Sequence, residues 1–397
     1  MTTKRQFSVV GALFLALALM RGAGAEAALP VPVTRSLHDA RASSSTPVAV
    51  FGSDDRTAIP QKLHWVAERT GLLFNNRSRT VCSAFCVADN LIATAAHCMA
   101  RGQAPGTVRY DDFNFARNYD RSRDFVKVEG AANGAASQHI LTGDFRLKIR
   151  PPIDAAHDWA LVRVPRKTCP TKSLDVKVLS NEEIITEAEA GRIFQVSYHR
   201  DFPAWRPAYS KPCAVARDYD AAKWSAIAPD FMSPEQMILH TCDTGGASSG
   251  SPLLLETSQG PVVVGINVGT YVQSIVPKPK DDADKPTGRL SEIVANTAVN
   301  AGAFAHHIEP LRNAQILSTT AGLRDLQERL RSQNLYGGRL DGVYGPALKA
   351  AIEAYEQAIR LPSTGLPTRS LVVQLAQDAL RGGQVAPTSM EQSASGR

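Results

Sequence analysis

A serine hydroxyl is a poor nucleophile at neutral pH, so it becomes catalytic only where a base can take its proton and an acid can hold that base in place. Three stretches offer these residue types. Thr94-Ala-Ala-His97-Cys98 puts a histidine after the apolar Leu91-Ile92, and Asp154-Ala-Ala-His-Asp158-Trp-Ala-Leu-Val-Arg-Val164 puts Asp158 just before an alternating strand. Cys242-Asp-Thr-Gly-Gly-Ala-Ser-Ser-Gly-Ser-Pro252 is a run of small residues that ends where Leu253, Leu254 and Leu255 begin. It reads as a loop presenting Ser249: small side chains admit a substrate backbone closely, and glycines take φ values that other residues resist. Each stretch also has a plain structural reading. A serine–glycine loop is a flexible connection, a histidine after a strand packs in a core, and an aspartate at a strand boundary is a turn residue or cap.

Elements able to position these residues are visible on either side. From about residue 50 to residue 300 the chain reads as short strands, at 71–74, 83–87, 91–94, 160–164, 193–197, 252–255 and 262–268, separated by turn residues such as Asn75-Asn76, Asp89-Asn90 and Gln259-Gly260. That is the texture of an all-β sandwich or barrel. After residue 300 the period changes: Leu323, Leu326 and Leu330, then Leu348, Ala351, Ile352 and Tyr355, then Leu371, Val372 and Leu375 follow helical spacing. Pro346 suits a first helical turn, and Gly365-Leu-Pro367 breaks the chain before the third helix. Residues 306–320 read as a linker, 321–380 as a small helical domain and the polar 381–397 as a disordered tail.

At 397 residues, 44% of them hydrophobic, the chain suits a globular protein of two or three domains. Lys4 and Arg5 precede an apolar run from Phe7 to Met20 and then Ala23-Gly24-Ala25, the order of a secretory signal. Cleavage is expected after Ala25, with Ala27 as the alternative, leaving an exported chain, periplasmic or secreted, without a membrane span. Residues 26–49, rich in Ala, Ser, Pro and Thr, read as a pro-segment or flexible linker. The signal holds Lys4, Arg5 and Arg21 and no acid, so its removal lowers the formal net charge from +6 to +3. No basic stripe with interleaved aromatics is present, so no nucleic-acid partner is expected. Six cysteines in an oxidising compartment, Cys82, Cys86, Cys98, Cys169, Cys213 and Cys242, read as disulfides. A zinc site of Cys82, Cys86, His97 and Cys98 matches no paired-ligand spacing, and Asp281, Asp282 and Asp284 meet no calcium-loop spacing. No metal or other cofactor is expected.

Thr94-Ala-Ala-His-Cys98, Asp158-Trp-Ala-Leu161 and Ser248-Ser-Gly-Ser-Pro252, in the order His, Asp, Ser, resemble the motifs of the chymotrypsin-like serine peptidases. Within them the closest branch is that of the secreted bacterial glutamyl endopeptidases, whose mature start Val50-Phe-Gly-Ser-Asp-Asp-Arg-Thr57 also resembles. The resemblance covers residues 50–305. It implies a mainly β, two-barrel chymotrypsin-like fold, with His97 and Asp158 from the first barrel meeting Ser249 from the second across a cleft. It further implies hydrolysis of a peptide or protein substrate through an acyl-enzyme. His97 would be the general base and Asp158 its orienting acid, with the N–H groups of Ala247 and Ser249 forming an oxyanion hole. Trp159 would pack, and His157 lies on the wrong side of the motif to be the base. A Cys82–Cys98 disulfide is implied too. For the other cysteines, Cys213–Cys242 and Cys86–Cys169 are the pairings weighed, and sequence alone leaves them open.

Three departures matter. Ala247 stands where the family has glycine, so a left-handed φ there would be resisted. Ser248 replaces the aspartate that, in the animal enzymes, pairs with a freed N-terminus, so activation by pro-segment removal must act otherwise. In the substrate pocket Thr244 matches the glutamyl branch, but Asn267 stands where its histidine is expected. Counted without gaps, Asp243 falls where trypsin-like enzymes hold the acid that binds Lys or Arg, so cleavage after basic residues is one expectation. The other is that Asp243 merely supports the loop. The segments Leu323 to Leu330, Leu340-Asp-Gly-Val-Tyr-Gly-Pro346 and Ala350 to Tyr355 resemble the three-helix peptidoglycan-binding-like module, with Leu348 and Tyr355-Glu356 departing from it. Wall binding through residues 321–380 is implied, against a domain that only packs on the catalytic one. A catalytically silent envelope-binding protein is the rival to an exported endopeptidase.

Overall fold

The computed structural model describes residues 49–75, 77–100, 112–120, 124–128, 137–143, 150–210, 212–215, 228–275 and 290–381. The expected signal and most of the pro-segment, the acidic run containing Asp281, and nearly all of the tail lie outside them.

Among the described residues, fourteen strands form two seven-stranded antiparallel sheets. The first runs β6 (Val126–Lys127), β5 (Phe113–Arg117), β2 (Thr70–Asn75), β3 (Thr80–Ala88), β4 (Leu91–Thr94), β8 (Ala160–Arg163) and β7 (Ile140–Thr142). The second runs β1 (Thr57–Ala58), β10 (Pro207–Ser210), β9 (Ile193–Tyr198), β12 (Pro252–Leu255), β13 (Val262–Ile275), β14 (Leu290–Asn300) and β11 (Met237–His240). Two antiparallel sheets followed by helices agree with the expected mainly β unit and small α domain. Continuous apolar runs explain the centres: Leu91–Thr94 and Pro252–Leu255 are buried at every position, as short runs without alternation should be. One apolar core spans both sheets, from Phe85, Ile92 and Leu161 to Phe194, Leu254 and Val264. A smaller cluster joins Leu72, Phe74 and Ala116 of the first sheet to Tyr198 of the second and to Ala247 in the loop before β12.

Sequence reasoning placed several elements imperfectly. His97 lies on a helical turn, Ala96–Ala100, and not at a strand end. A helix at Asn181–Glu189 was not foreseen, although Ser180 and Glu183 form the reciprocal capping box whose S-x-x-E signature is in the sequence. Strands β1, β5, β6, β7, β10, β11 and β14 lie outside the seven expected ranges. The expected linker 306–320 is largely built structure: the helix Ile308–Asn313 puts Ile308 and Leu311 into the main core. Arg163 at the end of β8 donates to Leu311 O at 2.8 Å and Ala314 O at 3.1 Å, satisfying carbonyls that a helix C-terminus leaves open.

The C-terminal helices Thr320–Ser332, Pro346–Ala358 and Arg369–Leu380 enclose their own core, with Leu326, Leu330, Ile352, Tyr355 and Leu375 nearly or fully inaccessible. Thr319 and Thr368 cap the first and third, each accepting a main-chain N–H at 3.2 Å. The module meets the two-sheet unit where Ile316 bridges Thr368 and where Leu366 joins the main core. No helix among the described residues is long and apolar enough to cross a membrane.

Candidate active site

β4 carries the chain into the turn Ala96–Ala100, which holds His97, and its neighbour β8 begins just after Asp158, so the pairing of the two strands brings the residues together. Asp158, 2% exposed, uses both oxygens on His97: Oδ1 accepts the His97 main-chain N–H at 2.8 Å, and Oδ2 lies 2.6 Å from Nδ1. A carboxylate only accepts, so Nδ1 carries the hydrogen and Nε2 is left as the acceptor, the tautomer a general base needs. Trp159 is buried and stacks on His307 at 5.2 Å, a packing role, while the exposed His157 pairs with Asp154 at 2.8 Å and away from His97.

Ser249 arrives from the second sheet, in the loop before β12. Cys98 Sγ lies 3.7 Å from His97 Nε2 and 3.8 Å from Ser249 O, so imidazole and serine flank the same sulfur. That sulfur belongs to a Cys82–Cys98 disulfide; Cys86 is bonded to Cys169 and Cys213 to Cys242. Cys82, His97 and Cys98 place ligand-type atoms within 4.8 Å of one another, but a disulfide offers no thiolate to a metal.

The first sheet grips the serine loop through Ser83 on β3. Its N–H donates to Ser249 O at 2.8 Å, its hydroxyl donates to Ala247 O at 2.9 Å and accepts from the Tyr198 N–H at 3.1 Å, and its carbonyl accepts the Thr94 hydroxyl at 2.8 Å. The approach is close enough that a Cβ on Gly250 would sit 2.2 Å from both Ser83 O and Thr94 Oγ1, and Gly250 has φ 85°. Only glycine fits there.

Seven of the loop's N–H groups have acceptors. Those of Cys242, Asp243, Thr244 and Gly245 go to His240 Nδ1, Ser210 Oγ, Ala49 O and His199 Nδ1, and those of Ser248, Gly250 and Ser251 to Gly245 O, Asn267 O and Ser248 O. The N–H groups of Gly246, Ala247 and Ser249 donate to no described residue. Ala247 and Ser249 are the pair named from sequence as oxyanion donors. Ala247 has φ 83°, the left-handed conformation that costs a non-glycine residue roughly 1–2 kcal/mol, and its methyl group packs in the small cluster beside Tyr198.

The substrate-pocket candidates fare differently. Asp243 does not present its carboxylate to a pocket: at 2% exposure, Oδ1 accepts the Phe51 N–H and Oδ2 the Asp55 N–H, each at 2.9 Å. The expectation of a free acid for Lys or Arg gives way to the loop-supporting alternative, because both oxygens are spent on main chain. Thr244 is buried and pairs through its main chain with Ala49. Asn267, 1% exposed, donates from Nδ2 to Ser248 Oγ at 3.3 Å and accepts at Oδ1 from His240 Nε2 at 3.2 Å. Burial lowers the His240 pKa to about 4, and burial with the nearby Arg56 cation lowers that of His199 to about 3. Both imidazoles are therefore neutral acceptors for loop N–H groups. Asp243 was legible from the sequence only as one of two alternatives, and Ser83 and His199 not at all as supports, because their partners in the loop lie 164 and 46 residues away.

Residues 82–266 match the family Trypsin-like peptidase domain, and residues 319–375 match the family Putative peptidoglycan binding domain. No curated protein matches the chain. Among solved structures it is similar to a Glu endopeptidase in complex with MPD, at 15% identity over 66% of this chain and 98% of that one, with a TM-score of 0.42. The match to the trypsin-like peptidase domain thus falls on the two-sheet unit, and the match to the peptidoglycan binding domain falls on the three C-terminal helices.

Proposed function

We propose that the protein is an exported serine endopeptidase, held at the cell envelope by its helical domain. The observation that supports this most is a division of labour: a histidine whose Nδ1 is hydrogen-bonded to a buried aspartate, beside a serine loop in which the Ala247 and Ser249 N–H groups are unengaged. In this reading His97 Nε2 takes the Ser249 proton as Oγ adds to the scissile carbonyl. The oxygen that gains charge is stabilised by the N–H groups of Ala247 and Ser249. His97 then protonates the leaving amine, and a water, deprotonated in its turn, hydrolyses the acyl-enzyme. Asp158 keeps the imidazole in the required tautomer and favours its positive form. Thr244 and Asn267 remain the pocket candidates; with Asp243 occupied, cleavage after Lys or Arg loses its carboxylate.

A fluorophosphonate probe tests the reading. Labelling of the wild type and of no other residue in Ser249→Ala is expected, with peptidase turnover in Ser249→Ala or His97→Ala down by several orders of magnitude. A wild-type chain that takes no label while folded would leave the silent envelope-binding protein in its place.

A further inference from the structure

The base of the serine loop rests on a segment that the triad does not require. Ala49 and Thr244 exchange both main-chain hydrogen bonds at 2.9 Å, and the Asp243 carboxylate then takes the N–H groups of Phe51 and Asp55. Arg56 follows, 4% exposed, its guanidinium forked between two acids: Nη2 lies 2.7 Å from Asp54 Oδ2 and 2.7 Å from Asp201 Oδ2, with Nε on Asp54 Oδ1 at 2.9 Å. Beside Asp201, the Arg200 N–H donates to Gly246 O at 2.7 Å. A Cβ on Gly245 would lie 2.1 Å from Asp201 Oδ1 and 2.8 Å from Arg56 Nη1, so the loop's main chain lies directly against this ion cluster. Asp243 and Thr244 are thus bonded to Ala49–Asp55, Gly245 lies against the ion cluster, and Gly246 is bonded to Arg200 beside it.

The next residue is Ala247, held at φ 83°. Rotation about its N–Cα bond toward the negative φ that alanine prefers would turn its N–H away from that of Ser249. Strain of this kind persists only where neighbours over-determine the backbone. Ser83 fixes the downstream side through Ala247 O and Ser249 O; the upstream side is fixed from Ala49–Arg56.

We propose that Asp243 and Arg56 are positioning residues, which clamp Gly245–Ala247 through the segment Ala49–Arg56 so that the Ala247 and Ser249 N–H groups are held toward one oxygen. The proposal rests on the serine-peptidase reading above. The clamp uses peptide N–H and C=O groups with side chains and, among the described residues, no terminal ammonium. It supplies what Ser248 cannot, since no carboxylate stands beside the nucleophile.

The test uses the full chain, with turnover expressed per fluorophosphonate-labelled site. Asp243→Ala loses both acceptors, Asp243→Asn keeps one, and Arg56→Lys keeps the charge but not the fork. Expected is a fall in kcat of about tenfold to a hundredfold in Asp243→Ala with KM within about twofold, because oxyanion donors act in the transition state. Smaller falls in the same sense are expected in the other two. A peptide aldehyde, whose hemiacetal oxygen mimics the oxyanion, should lose affinity by the same factor as kcat. If Asp243→Ala does not fold, Asp243→Asn and Arg56→Lys decide. Variants that keep kcat and aldehyde affinity per labelled site, even with a lowered melting temperature, overturn the clamp while leaving the peptidase intact. A wild type that takes no label overturns the peptidase reading and the clamp with it.

Discussion

Two glycine-containing loops of this molecule are both held by buried hydrogen bonds, yet they are built in opposite ways. The turn Arg339–Pro346 of the helical module is organised by Gln327, which donates to Asp341 Oδ1 at 3.0 Å and Val343 O at 3.1 Å and accepts the Gly342 N–H at 2.8 Å. Those partners lie 14, 16 and 15 residues away in the chain. The serine loop is held by Ser83 at a separation of 164 residues, by Phe51 through Asp243 at 192, and by His199 at 46. A locally organised turn folds with its own module. The serine loop takes shape only when both sheets and the segment before β1 are in place, which lets its N–H groups be parcelled out with those of Gly246, Ala247 and Ser249 left over.

The supports also differ chemically, and acid should separate them most strongly. The serine loop leans on neutral imidazoles of His199 and His240, whose folded pKa values of about 3 and about 4 lie below the ordinary 6.5. The unfolded chain therefore binds more protons below about pH 6.5. The stability these groups contribute is complete above that pH and is lost as pH falls through about 4 and then 3, on the order of 3 kcal/mol for His240 alone. Gln327 does not titrate. All four tryptophans, Trp65, Trp159, Trp205 and Trp224, lie before the module. Acid titration should shift tryptophan emission before it melts the far-ultraviolet helix signal, and simultaneous loss would break the contrast.

A converse perturbation addresses the module. Gln327→Ala strands the buried Gly342 N–H and removes the bonds to Asp341 and Val343, an expected loss of about 2–3 kcal/mol. It should appear as an earlier helix transition with the tryptophan transition unmoved. The smallest effect concerns Ala247. Ala247→Gly relieves the left-handed φ while adding unfolded-chain entropy and losing a packed methyl group, for a net gain of about 0.5–1 kcal/mol. Urea midpoints should rise slightly with turnover at or above wild type; a stability loss would mean that the methyl packing beside Tyr198 outweighs the strain.

What the sequence determined by itself is what short segments can encode. Burial of Leu91–Thr94 and Pro252–Leu255 follows from uninterrupted apolar runs, the three C-terminal helices follow from spacing and from Pro346, and His97, Asp158 and Ser249 stand out through their motifs. The capping box of Asn181–Glu189 was there to be read as well. Only the tertiary structure decided what Asp243 does, since a carboxylate beside a disulfide cysteine serves a cation pocket or a buried clamp according to which donors reach it. Phe51 and Asp55 reach it from the far end of the domain. The same holds for Ser83, His199 and His240, and for the sign of φ at Ala247. Local propensity fixes which backbone states are cheap; long-range hydrogen bonds select the costly one that this loop adopts.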